Sequence, residues 1–235
     1  MLAVTNHTFP CEAAKELEER GHRVLSLPPH PNLPTPVASH PDMLLFFAKD
    51  AIFCTKSYYE IAKRELDEIS RIYGAPIQLI EQEYEGEYPR DVLLNALPLG
   101  SHLLSNTKTI AGELLELGLK VSHVNQGYAK CSCLPLGDRA LITSDASIAK
   151  KAKELGIDVL QISEGHISLS GYNYGFIGGC ASFAPRGNID TVFFCGDVSQ
   201  HPDYNEISRF CQSYNYKIIC LSNIELCDVG TIFII

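Results

Sequence analysis

The chain has 235 residues, 46% hydrophobic and 20% charged, a composition that supports a sizeable packed core and excludes a disordered or fibrous chain. No apolar run approaches the ~18 residues of a membrane span, and residues 1–10 lack the basic and apolar segments of a secretory leader. A formal charge of −9 argues against binding a nucleic-acid backbone.

In chain order, residues 2–5 read as a strand, and Thr8 is placed to cap a helix carrying Ala13, Ala14 and Leu17, which stops at Gly21 before a strand over residues 24–27. A proline-rich connection, residues 28–41, leads to a hairpin of residues 43–47 and 51–55 turning at Lys49-Asp50. Ser57 then caps a helix with Ala62, Leu66, Ile69 and Tyr73 on one face, Gly74 ends it, and residues 77–80 form a strand. The pattern repeats with residues 92–97, a turn at Gly100, residues 102–105, a helix carrying Ile110, Leu114 and Leu117, a stop at Gly118 and a strand at 121–124. It repeats again with residues 130–134, a turn at Gly137-Asp138 and residues 140–143. There Ser144 or Asp145 caps a helix carrying Ile148, Ala152 and Leu155, and Gly156 precedes a strand at 159–162.

The last copy has residues 176–183, a turn over Pro185-Arg186-Gly187-Asn188, and residues 191–195. Pro202 opens its helix, which carries Ile207, Phe210, Cys211 and Tyr214, and Asn215 stands in for the terminal glycine before residues 218–221. The first copy lacks its opening strand, and residues 231–235 are free to supply it. The predicted fold class is therefore α/β, a five-bladed β/α propeller of ββαβ repeats with pseudo-fivefold symmetry. Residues 1–235 form one domain, closed by pairing of the N- and C-terminal strands, with the opening strand of each unit near the axis. An open α/β sheet is the competing architecture.

This architecture resembles the pentein fold, the β/α propeller of the guanidino-group-modifying enzymes. Pro41-Asp42-Met43-Leu44-Leu45-Phe46 resembles the second-blade opening of dimethylarginine hydrolases. Four stretches resemble the bacterial DUF6873 family of that fold: His40-Pro41-Asp42-Met43, Tyr88-Pro89-Arg90-Asp91-Val92-Leu93-Leu94-Asn95, Gln126-Gly127-Tyr128-Ala129-Lys130-Cys131 and Tyr174-Gly175-Phe176-Ile177-Gly178-Gly179. The resemblance implies an amidinotransferase-like scaffold whose Cys, His and acid would fall at Gly230 (with Cys227 nearby), Tyr128 and Tyr88 (beside Glu87), while Asp42 matches the guanidinium-gripping carboxylate. On that register the catalytic Cys/His/acid set is missing.

The loops before each opening strand gather at one mouth of the axis, and residues 163–175 are long enough to act as a lid. Asp42 and Cys131 are the candidate catalytic pair. His40, Asp91, Asn95, Gln126, Tyr128, Lys130, Tyr174 and Cys180 are candidate substrate-binding residues. Asp42 and Asp91 open consecutive blades and are suited to a cationic group or to sharing a proton, or they satisfy backbone N–H groups at strand entrances. Lys130 would fix an anionic group. It would also lower the thiol pKa of Cys131 if the two side chains meet, though successive residues of a strand point to opposite faces.

Cys180 faces the channel or fills a bend at Gly178-Gly179, and Tyr128 and Tyr174 form aromatic walls or simply pack. Nine scattered cysteines suit reduced, buried thiols in a cytoplasmic protein better than a disulfide framework. The eight histidines lack metal-ligand spacing, and the glycines of residues 171–179 lack the strand-to-helix context of a nucleotide site, so no metal or cofactor is expected. The expected ligand is a small polar molecule, cationic or guanidino-like, in the axial pocket. The alternative is a non-catalytic platform for a macromolecular partner.

Overall fold

A computed structural model describes residues 1–184 and 190–235. The turn expected over Pro185-Arg186-Gly187-Asn188 lies outside these residues. Five three-stranded sheets make up the described chain. The first unit has β1 (Leu2–Asn6), helix α1 (Cys11–Glu19) and β2 (Arg23–Leu27). The second has a short helix α2 (Pro41–Leu44), β3 (Phe46–Phe47), β4 (Ile52–Thr55), α3 (Lys56–Ile61), α4 (Lys63–Tyr73) and β5 (Ile77–Ile80). The third has β6 (Leu97–Leu99), β7 (His102–Ser105), α5 (Gly112–Leu115) and β8 (Lys120–His123). The fourth has β9 (Cys133–Leu136), β10 (Ala140–Thr143), α6 (Ala146–Glu154) and β11 (Asp158–Gln161). The fifth has β12 (Ala181–Ala184), β13 (Thr191–Phe194), α7 (Tyr204–Ser213) and β14 (Lys217–Cys220), and β15 (Phe233–Ile234) ends the chain.

Each sheet has an antiparallel inner pair and a parallel outer pair joined by the helix, as in β9-β10-β11. The middle strands β1, β4, β10 and β13 are buried along their whole length, which is why they read as continuous apolar runs rather than alternating ones. β15 pairs antiparallel with β1 through Ala3–Ile234 and Val4–Phe233, and Leu2 and Ile235 exchange backbone hydrogen bonds of 2.8 and 2.9 Å. The last strand thus completes the first sheet, as expected.

Residues of the five inner strands, among them Phe47, Pro98, Pro135, Phe183 and Phe233, line one common cavity. The helices cover the units outside with the expected stripes: α4 buries Leu66 and Ile69, α6 buries Ile148 and Ala152, and α7 buries Ile207 and Cys211.

Several local expectations change. Thr8 caps nothing, since α1 starts after Pro10 without a side-chain cap. The second helix is capped by Thr55, whose hydroxyl accepts from Tyr58 N, and it breaks at Ala62. Ser57 instead bonds the Glu83 carboxylate and His30. The third helix shrinks to one turn. Asn106 competes for its start by accepting from Lys108 N at 3.2 Å through its side chain and from Thr109 N through its carbonyl, an alternative that short polar side chains offer to helix. Asp145, rather than Ser144, caps α6. Asn215 has a φ of 61° and takes the left-handed position expected of it.

The largest correction concerns the inner strands, which begin two to five residues later than the pattern suggests. The preceding residues form turns, some of whose backbone groups bond across units: Asp42 N donates to Gly230 O at 3.1 Å and Thr231 N to Gly179 O at 2.8 Å. Others close within their own unit, Ala111 N on Leu93 O at 2.9 Å and Cys133 N on Lys130 O at 3.1 Å. Buried backbone groups need partners, and both kinds of bond supply them here.

Candidate functional site

These turns carry most of the residues singled out in the sequence. At their centre is Asn95, fully buried. Its side-chain oxygen accepts from Lys130 N (2.8 Å) and Cys131 N (3.2 Å), while its Nδ2 donates to Asp42 O (3.2 Å) and approaches Cys131 Sγ (3.1 Å). One amide therefore pins the second, third and fourth units together. The Cys131 thiol donates to Asp42 Oδ2 at 2.9 Å. The other Asp42 oxygen is buried and meets no donor among the described residues.

Burial pushes the Asp42 carboxyl above its ordinary range, against the pull of Lys130 and His40. Burial, with the Asp42 and Asp228 carboxylates beside it, raises the Cys131 thiol well above its ordinary value. Lys130 and Cys131 lie in a turn, not on a strand, yet as in the reading that keeps their side chains apart Lys130 does not lower the thiol, which moves in the opposite direction. The physical reason is that Cys131 is desolvated and faces carboxylates, while the Lys130 ammonium is turned to Thr231 Oγ1 at 3.0 Å.

Beside this pair, buried His40 Nδ1 stands 3.8 Å from Asp228 Oδ1. Asp228 accepts from Gly230 N at 2.9 Å and Phe176 N at 2.8 Å. Gly230 packs on His40 and Gly179 on Asp228 so closely that a Cβ at either would overlap the facing side chain. Tyr128 donates to Asp91 Oδ2 at 2.6 Å, and burial raises the Asp91 carboxyl in spite of that bond.

Above the cluster lies a cavity of about 250 Å3 lined by His40, Met43, Tyr128, Cys131, Asp228, Phe176 and the loop residues Leu169, Tyr172, Asn173 and Tyr174. The rings of Tyr128 and Phe176 are 6.1 Å apart and those of Phe176 and Tyr174 6.3 Å. The long loop thus contributes walls to the cavity.

The structure brings His40, Cys131, Tyr128 and Tyr174 to this cavity and sets Asp42, Asp91 and Asn95 directly behind them. Gln126 is spent on Tyr128 N and Asp145, and Cys180 is buried with its thiol toward Ile177 O. Neither lines the cavity. Lys130 lines a different one at the inner strands. Tyr88 is half exposed and packs against Tyr128. Gly230, the position matched to the superfamily's Cys, has its side-chain space filled by His40. Sequence reasoning missed Asp228, Met43 and Phe176. Asp228 had a signal: like Asp42 and Asp91, it is an aspartate a few residues ahead of an inner strand.

Against known proteins, a family model described as a family of unknown function (DUF6873) matches residues 4–233. No curated protein matches the chain. Among solved structures, a DDAH from Pseudomonas aeruginosa, a cysteine-to-serine mutant complexed with citrulline, is similar at a TM-score of 0.52 and 13% identity, over 93% of this chain and 91% of that one. An agmatine deiminase of C. jejuni is similar at a TM-score of 0.48 and 11% identity, over 94% and 76%. The first likeness shows the fold alone, the pentein fold. No helix among the described residues is long and apolar enough to cross a membrane.

Proposed function

The chain belongs to the DUF6873 family, and from that premise we propose that it is a five-bladed β/α propeller, sealed by the β1–β15 pair, that binds a small cationic, guanidino-like molecule in the aromatic-walled cavity. The observation that carries this reading is the grouping of Tyr128, Tyr174 and Phe176 around a floor with the Asp228 carboxylate at its surface and Asp42 and Asp91 behind it. Aromatic faces and carboxylates both attract a desolvated cation, and a guanidinium offers the flat donor fork that carboxylates match.

Cys131 is the group at the floor able to act as a nucleophile. Attack at the guanidinium carbon would form the S–C bond as the C=N π pair moves onto nitrogen and the thiol proton passes to Asp42, whose raised basicity suits it to accept. Collapse of that adduct would break a C–N bond, the proton held by Asp42 going to the departing amine. In the resting site the thiol stays protonated. A bound cation would favour the charge separation that transfer requires, so substrate would switch the nucleophile on. The superfamily's Cys/His/acid set takes no part in this scheme. His40, held beside Asp228, stands at the cavity wall to meet a leaving group.

Calorimetric titration with agmatine, arginine and methylguanidine, each against its uncharged urea counterpart, tests the reading. The guanidinium compounds should bind at least tenfold more tightly than the ureas, and Tyr128→Ala should weaken them. Equal binding of the ureas, or none of either, would overturn it. In the second case a copurifying macromolecule would favour the reading of a non-catalytic binding platform.

A further inference from the structure

A second cavity, of about 300 Å3, opens at the other end of the same axis. Following each inner strand shows how the two are related. The chain passes from His40 and Met43 at the first cavity to Phe46 and Phe47 at the second, from Cys131 to Pro135, and from Asp228 to Phe233. Between them lies the plug of Asp42, Asn95, Lys130 and Thr231. The second cavity has mainly apolar walls, with Ser182, Thr231 and Asp138 among them, and Lys130 is its one cationic group.

The Lys130 ammonium donates to Thr231 Oγ1 at 3.0 Å and, more weakly, to Gly178 O at 3.5 Å. The Phe233 ring lies 5.8 Å away. Among the described residues no carboxylate stands within ion-pair distance of this ammonium; its hydrogen-bond partners are neutral, and buried Asp42 feels its charge from beyond that distance. The Thr231 hydroxyl spends its proton on Ala181 O at 3.1 Å and meets the ammonium as an acceptor. An ammonium has three protons, so the third is left to whatever occupies the cavity. A half-buried cation facing a low-dielectric well favours an anion more than it would in water. At the exposed rim, Asp138 is the acidic group, and it opposes a second negative charge.

From these observations we propose that this second cavity is a binding site for a compact monocarboxylate with an apolar body, such as an aromatic or short-chain aliphatic acid. The carboxylate sits on Lys130 and the body fills the well between Phe47, Phe183 and Phe233. The size falls at the lower end of small-molecule pockets, which suits a single ring or a short chain. This site does not rest on the reading given for the cation cavity.

Benzoate and its neutral isostere benzamide are the probes, read by isotope-labelled methyl groups in the full chain. Ile232 and Ile234 line the second cavity, and Met43 lines the first. The chain has only two methionines, so the Met43 signal is easily assigned. Millimolar benzoate should shift the Ile232 and Ile234 methyls saturably and leave Met43 in place, and benzamide should bind at least tenfold more weakly. Lys130→Met should remove that preference. Benzamide binding as tightly as benzoate, a response at Met43 instead, or no response at either isoleucine would overturn the proposal. If Lys130→Met fails to fold, the benzoate and benzamide comparison on the unaltered chain decides. A failure of guanidinium compounds to shift Met43 would count against the cation site alone.

Discussion

Asp42 holds its carboxyl where water cannot reach it, with one oxygen on the Cys131 thiol and the other without a donor among the described residues. Burial raises its folded pKa, and Asp91 moves the same way for the same reason. An acid with a raised folded pKa contributes its full stability below its unfolded value near 4 and loses it as pH rises through the folded one. His30 and His201, lowered mainly by burial, act from the other side: their contribution is complete above about 6.5 and is lost as pH falls. Asp42→Asn keeps the shape and removes the carboxyl's titration. Denaturant unfolding at about pH 4 and about pH 7.5 should show the variant losing less stability on going up in pH than the parent. Parallel behaviour of the two proteins would mean that Asp42 titrates normally.

At the scale of elements, two kinds of glycine do different work. Gly74 ends α4 at a φ of 81°, with nothing near where a Cβ would stand. An alanine there meets only the conformational penalty of the left-handed region, about 1 kcal/mol. Gly178 has an ordinary φ, yet its Cβ would overlap the carbonyls of Cys133 and Lys130 at the head of β9. Those carbonyls belong to the turn held by Asn95 and cannot retreat without moving Cys131. Gly178→Ala should therefore cost about 3 kcal/mol or more, with Gly74→Ala as the mild comparison in the same unfolding measurement. Equal losses would show that the axial turns yield easily and are not a rigid frame for the site.

At the scale of the molecule, the last strand joins what lies far apart in the chain. β15 pairs with β1, and Phe233 packs on Phe47 of the second unit at 4.6 Å between ring centres. Removing residues 233–235 strips β1 of its antiparallel partner, leaves it on β2 alone and exposes an unpaired edge that invites association. The shortened chain should lose about 3 kcal/mol or more, lose amide-exchange protection at residues 2–4, which face β15, and scatter more light. Unchanged protection in β1 would show that the first sheet stands without its last strand.

By itself the sequence determined the order of elements, the five buried middle-strand cores, the stops at Gly74, Gly156 and Asn215, the pairing of the two terminal strands and the family. Those features rest on local patterns: an apolar run, a cap, a residue tolerant of positive φ. What only the tertiary structure decided was where the inner strands begin, that Asp228 belongs beside His40, and that Lys130 faces one cavity while Cys131 faces the other. The axial turns are fixed by bonds that cross units, such as Asn95 to the amides of Lys130 and Cys131. A hydrogen bond to a residue far along the chain leaves no periodic trace in the sequence on either side of it, so the residues that matter most to the site were legible as candidates but not as neighbours.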